Sequence, residues 1–184
     1  MKIDRKEVLT PALTLFVICL VTAVLLAGTN LMTRDKIVEI NQQSESASRQ
    51  LVLPSAKDFE NSKDGTYAIG KNGNSLAGYV FTTKTKSYGG DLKVMTGIDK
   101  DGKITGVVLL AISDTPGLGL NAEKESFRDQ YKKAVPENGF EVIKSGTASD
   151  TQIEAMTGAT ITSKAVTTCV NDAIKQYQKV KGGE

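Results

Sequence analysis

Residues 92–112 read LKVMTGIDKDGKITGVVLLAI. Two runs rich in β-formers, 92–98 and 104–112, flank Asp99-Lys100-Asp101-Gly102, a strong hairpin signal. The second run turns continuously apolar, which predicts a central, buried strand. Upstream, residues 67–69 and 78–84 (GYVFTTK) flank a turn at Lys71-Asn72-Gly73-Asn74 and predict a further strand pair. Downstream, residues 122–134 have helical spacing, with Phe127 and Tyr131 on one face. Residues 140–143 predict a short strand. A final helix is expected from Thr160 to about Val180, with Ala165, Val166, Cys169, Val170, Ala173, Ile174 and Tyr177 in one wide apolar stripe. Strands paired by hairpins, with helices set apart, give an α+β domain: a mixed, mainly antiparallel sheet with flanking helices.

The chain has 184 residues, room for one ordinary domain and little more. Apolar residues make up 40% and charged residues 24%, values of a folded protein rather than a disordered tail. The net charge is +2. Three basic residues (Lys2, Arg5, Lys6) and two acidic ones (Asp4, Glu7) precede the first apolar run, so the rest is near neutral. A neutral body offers no electrostatic footprint for nucleic acid, and none is expected as a partner. Histidine is absent, which removes Ser-His-Asp and Cys-His catalysis and imidazole metal sites. The two cysteines, Cys19 and Cys169, make neither a disulfide framework nor a four-thiolate cluster. No catalytic side chain and no metal ligand set is assigned. Any redox chemistry must come from a bound organic cofactor.

Residues 11–32, PALTLFVICLVTAVLLAGTNLM, form an uncharged run of about 22, enough to cross roughly 30 Å of hydrocarbon as a helix. The alternative is a cleaved signal peptide, but the run exceeds a usual apolar signal core and no A-x-A site follows it. The three basic residues before the span, against Arg34 and Lys36 after it, favour a cytoplasmic N-terminus (residues 1–10) and an outer location for the rest. Residues 33–53 are expected to be an amphipathic linker helix. Ile37, Ile40, Ala47 and Leu51 recur at heptad-like spacing with Ser44 in the stripe, and Pro54 stops the helix. The stripe would either dock on neighbouring helices or lie on its own domain. The domain proper is expected over 54–184.

Three segments offer chemistry. In Thr157-Gly158-Ala159-Thr160-Ile161-Thr162-Ser163, hydroxyl residues crowd a glycine just as a helix begins. A helix N-terminus presents unpaired N–H groups and partial positive charge, so it favours a phosphate. Gly158 permits close approach, the hydroxyls of Thr157, Thr162 and Ser163 add donors, and Lys164 adds charge. Plain helix capping accounts for the same residues. Asp114-Thr115-Pro116-Gly117-Leu118-Gly119, directly after the apolar strand, makes either a loop a flat ligand can approach or an ordinary turn. Tyr88, in Tyr88-Gly89-Gly90, can stack on an aromatic ring or cover a core edge.

Taken in order, an uncharged N-terminal span, GYVF, YGG before a strand, D-x-D-G, TPGLG and TGATITS opening the last helix resemble the G subunit (RnfG) of the Rnf electron-transport complex. That family is akin to the C subunit of the sodium-pumping NADH:quinone reductase, and both contain the FMN-binding domain. The resemblance covers nearly the whole chain. It implies FMN joined through its phosphate to Thr160, the last threonine of the S/T-G-A-T motif, by a separate flavin transferase acting on FAD. Thr157, Gly158, Ala159, Thr162, Ser163 and Lys164 would surround the phosphate. Tyr88, Thr115, Pro116, Gly117, Leu118 and Gly119 would lie against the ring. Two positions depart from the family pattern: Glu154 stands three places before the motif where Asp is usual, and Asp114 replaces the glutamate of E-T-P-G, with Ser113 where a histidine is common. The implied role is an electron relay without independent turnover, on the outer face of a bacterial or archaeal cytoplasmic membrane. Its partners would be the other redox and ion-translocating Rnf subunits. The C subunit of the quinone reductase, a membrane-tethered flavin reductase acting alone, and a surface-binding module without flavin stand as alternatives.

Overall fold

In the computed structural model, residues 5–62 and 65–182 are described, without the side chains of residues 5–8, 38, 41 and 42. The expected cytoplasmic N-terminus therefore lies partly outside the described residues, as do residues 63, 64, 183 and 184 of the expected domain. The chain divides into two compact units, residues 1–43 and 44–184.

Helix α1 spans Arg5–Val52, and the boundary between the units falls within it. Its segment Leu9–Ile37 is long and apolar enough to cross a membrane, and all its side chains are exposed. Such a helix fits single-pass anchoring. Thr14, Thr22, Thr29 and Thr33 donate to carbonyls one turn back, so their hydroxyls are satisfied inside the helix. The helix ends two residues before Pro54, whose ring disfavours helical geometry in the residue ahead of it.

The second unit is built on five strands, β1 (Asp58–Asn61), β2 (Tyr67–Asn72), β3 (Ser75–Lys86), β4 (Asp91–Asp99) and β5 (Ile104–Ala111), paired antiparallel in that order. The β4–β5 turn forms as its residues dictate. Asp99 Oδ1 accepts from Asp101 N at 3.0 Å and Lys103 N at 2.8 Å, and Gly102 takes φ +83°. The sheet is wholly antiparallel. The parallel pairing is confined to two short strands elsewhere, β6 (Glu141–Ile143) and β7 (Gln152–Glu154).

Strand β5 lies at the sheet edge, not at its centre. Its continuous apolarity reflects cover on both faces: Ile104 and Val107 join one core, while Val108 and Leu110 pack on the other. Its free edge is also capped. Ile104 N donates to Lys133 O at 2.9 Å, and Arg128 Nη1 donates to Val107 O at 2.9 Å. The expected 122–134 helix is broken to provide that cap. A 3-10 turn (Gly119–Glu123), the one-turn helix α2 (Glu125–Arg128) and a second 3-10 turn (Asp129–Tyr131) replace it, interrupted at Lys124, whose backbone is extended. Phe127 and Tyr131 still share a face, stacked edge-on with centroids 5.8 Å apart.

The last helix, α3 (Thr160–Gly182), lays its expected stripe on one face of the sheet against Phe81, Leu92, Val94 and Ile98. The opposite face is covered by the end of α1 and the residues just after it, with Val52, Leu53 and Ala56 all fully buried. The stripe predicted for the linker helix is a different one: Ile37, Ile40, Ala47 and Leu51 are exposed, and Ser48 and Val52 face inward instead. The cause is a floor of glycine. Gly97 and Gly106 are cross-strand partners on β4 and β5, and Val52 seats directly on them. The hydroxyl of Thr105 donates to Val52 O, and Lys93 pairs with Glu45 at 2.9 Å. A Cβ at Gly97 would lie 2.2 Å from Val52 O, a backbone atom with no freedom to yield. Gly97→Ala is therefore expected to destabilise the unit by about 2–4 kcal/mol, read as a lowered urea midpoint at unchanged slope.

Candidate functional site

Three chain segments converge at one end of the sheet: the 87–90 loop between β3 and β4, the 114–119 loop after β5, and the first turn of α3. Between them lies a groove of about 560 Å³, lined by Tyr88, Asp114, Thr115, Leu118, Gly119, Gly158, Ala159, Thr160, Ile161 and Thr162. Three large apolar side chains stand exposed around it: Tyr88, Leu118 and Ile161. A larger open groove of about 980 Å³, bordered by Glu60, Tyr67, Gln176 and Lys179, has no comparable meeting of loop and helix start.

The convergence is held by Asp114, which is buried. Its Oδ1 accepts from the Gly89 N–H at 2.6 Å, and its Oδ2 accepts from Ser87 Oγ at 2.5 Å and from Thr162 Oγ1. Burial by itself raises the pKa of this carboxyl. The hydrogen bonds from Ser87, Thr162 and Gly89 outweigh that effect and hold it below the ordinary aspartate value. Gly119 packs on the same carboxylate. A Cβ there would come 2.5 Å from Asp114 Cβ and 2.8 Å from Thr162 Oγ1.

A depressed native pKa has a definite sign in stability. The contribution is full above the unfolded-state value of about 3.9 and is lost as pH falls through the lower native value. Wild type is thus expected to exceed Asp114→Asn in urea midpoint at about pH 7, with the gap closing toward about pH 2.

The hydroxyl residues of 157–163 are not equivalent. Thr162 and Ser163 are buried, and their hydrogens are committed to Asp114 Oδ2 and Ala159 O respectively. Ser163 Oγ also accepts from Met156 N at 3.0 Å, so it serves the turn that leads into the helix. Thr157 is exposed and outside the groove lining, while Thr160 is half-buried and lines it. Gly158 takes φ +76°, which turns the chain into α3, and a Cβ there would press on Leu118 at 3.1 Å. Helix geometry leaves the first N–H groups of α3 without acceptors inside the helix. In the 114–119 loop, Leu118 N and Leu120 N both donate to Thr115 O at 3.2 Å, and Gly117 takes φ +76°. Pro116, Gly117 and Lys164 are exposed and stand outside the lining. Ser87 joins the site although no motif marks it, and Ile161 joins it as the one residue of 157–163 to which the sequence assigned no role. Asp114, legible only as one member of its loop, proves to be the centre. A lone aspartate among turn residues gives no sign of its own burial. Among the described residues, no cluster of three His, Cys, Asp or Glu side chains is set to hold a metal ion.

The FMN-binding domain family matches residues 87–175, and the RnfG N-terminal region matches residues 1–51. The G subunit of the Na(+)-translocating ferredoxin:NAD(+) oxidoreductase complex of Acetobacterium woodii is 39% identical over 199 aligned positions, covering 97% of this chain and 96% of the relative. The chain belongs to the RnfG family. A second relative in this family, the G subunit of the proton-translocating complex of Clostridium ljungdahlii, is 32% identical over 98% of the chain and 97% of the relative. Two solved structures share the fold. The C subunit of the Na(+)-translocating NADH-quinone reductase of Parabacteroides distasonis aligns with TM-score 0.53 at 24% identity, over 61% of this chain and 60% of that one. NqrC of Shewanella oneidensis aligns with TM-score 0.53 at 18% identity, over 65% of each chain. The part of the chain matched to the FMN-binding domain includes all three groove-forming segments.

Proposed function

We propose that this chain is the electron-carrying subunit of a membrane-bound, ion-translocating ferredoxin:NAD oxidoreductase, with FMN attached by a phosphoester to Thr160. One observation carries the reading. Within the hydroxyl cluster, Thr160 alone lines the groove without being buried, while Thr162 and Ser163 have their hydroxyls engaged and Thr157 stands outside. The residues present suit the group. The start of α3 offers N–H donors and positive dipole to phosphate oxygens. Tyr88, Leu118 and Ile161 offer apolar surface to a flat ring. A bound flavin would supply one- or two-electron transfer, and the protein its position and electrostatic surroundings.

Attachment requires a flavin transferase as maturation partner. The Thr160 hydroxyl displaces AMP from FAD, losing its proton as the new phosphate ester forms. The exposed 157–158 turn leaves this acceptor within reach. The apolar helix anchors the chain in the membrane, and the basic residues preceding it favour an outward-facing domain. The other Rnf subunits are the electron partners.

The test is co-expression with a flavin transferase, followed by a denaturing gel viewed under ultraviolet light and by intact mass. The expected result is fluorescence that survives denaturation and a mass increased by one FMN less water. A wild-type chain at its bare mass, with transferase present and active on a control substrate, overturns the proposal.

A further inference from the structure

We propose that Asp114 is a positioning residue whose buried, ionised carboxylate clamps the three walls of the groove together and sets the reduction equilibrium of the flavin held there. The inference rests on the flavin reading above and deepens it.

The first observation is geometric. One carboxylate joins three segments that are far apart in sequence: Ser87 and Gly89 from the β3–β4 loop, Asp114 itself from the strand exit, and Thr162 from α3. Each tie lies within two residues of a groove-lining group: Tyr88 between the first two, Thr115 beside Asp114, and Thr160 and Ile161 ahead of Thr162. Gly119 closes the fourth side at a distance that admits no side chain. Among the described residues, no other side chain in the site connects all three walls.

The second observation is electrostatic. Among the described residues, no lysine or arginine forms an ion pair with Asp114. Its charge is met by two hydroxyls and one N–H, which stabilise it without cancelling it. The depressed pKa agrees with a carboxylate ionised at neutral pH. A fixed negative charge in a partly desolvated groove opposes the arrival of electrons on a neighbouring ring, so it makes reduction less favourable. The clamp and the charge are separable, because the hydroxyl donors can be removed while the charge stays.

The experiment uses the full chain, flavinylated by co-expression and purified in detergent. It is titrated with dithionite, which is oxidised as the ring takes up electrons, against a reference dye. Asp114→Asn is expected to shift the equilibrium about tenfold toward the reduced form, about 30 mV for a two-electron couple. Asp114→Glu keeps the charge and is expected to stay within about threefold of wild type. Ser87→Ala and Thr162→Val keep the charge but loosen a wall. They are expected to lower flavin fluorescence anisotropy and visible circular dichroism while the ester remains intact. A merely structural role for Asp114 would not move the potential of a folded, flavinylated variant. The proposal is overturned if Asp114→Asn has the wild-type equilibrium, or if Asp114→Glu shifts as far as Asp114→Asn. Should Asp114→Asn fail to fold, the two wall variants decide: unchanged anisotropy in both sinks the clamp, and a fall supports it. If wild type takes up no flavin at all, the function reading fails first, and that outcome is distinct from each of these.

Discussion

Thr160→Ala is expected to abolish covalent flavin completely while leaving the fold intact. The effect is all-or-none because an ester needs an oxygen and alanine has none. The structural cost is small: position 160 is the first of α3, only half-buried, and alanine is the best helix former. A change of well under about 1 kcal/mol, or about 3 °C in melting temperature, is expected. Thr160→Ser should retain the label, and Thr157→Ala should retain it too. Thr162→Ala and Ser163→Ala behave differently, because each removes a buried hydroxyl with two-sided or charge-bearing partners. They are expected to lose about 1–3 kcal/mol of stability. Gel fluorescence and thermal melting on the same preparations separate the two classes. A fluorescent Thr160→Ala chain would move the acceptor elsewhere.

The second large effect concerns where the domain begins. A truncated chain of residues 44–184 is expected to fold with its core complete, whereas one of residues 54–184 is expected not to. The ten residues between carry Val52 and Leu53, both fully buried, and the carbonyl that receives the Thr105 hydroxyl. Burying two such side chains contributes roughly 3–6 kcal/mol. Their loss also opens cavities over Gly97, Gly106 and Gly70, which have no side chains to refill the space. That is comparable with the whole stability of an ordinary domain, about 5–15 kcal/mol. Circular dichroism and urea titration of the two chains check it. Equal stability would mean that the end of α1 merely rests on the sheet.

Much of this architecture could be read in the residues, and the failures have physical causes. The 92–112 hairpin was legible because turn chemistry and strand pattern agree there. The last helix was legible because its stripe is long and regular. Strands β1 and β7 escaped because three or four mostly polar residues carry no periodicity. Continuous apolarity misplaced β5, since an edge strand covered on both faces looks like a central one. Residues 122–134 have helical spacing, but extended Lys124 divides the segment that forms there so that it can cap the β5 edge. In the candidate site, the motif residues around Thr160 and the loop after the apolar strand were visible as types. The division of labour among their hydroxyls was not, because it depends on which of them meets Asp114. The role of that carboxylate was hidden too: its partners are 25, 27 and 48 positions away.

Strand β1 closes the far side of the sheet with a row of peptide groups open to further pairing. It is only four residues long, and Asp58 and Glu60 stand exposed along it, with Glu60 tied to Lys71 at 2.7 Å. Neighbouring copies approaching that border meet carboxylates instead of an inviting template, and so resist zippering into fibres. For a chain whose apolar helix fits anchoring in a lipid sheet, this acidic selvedge disfavours edge-to-edge association among neighbours.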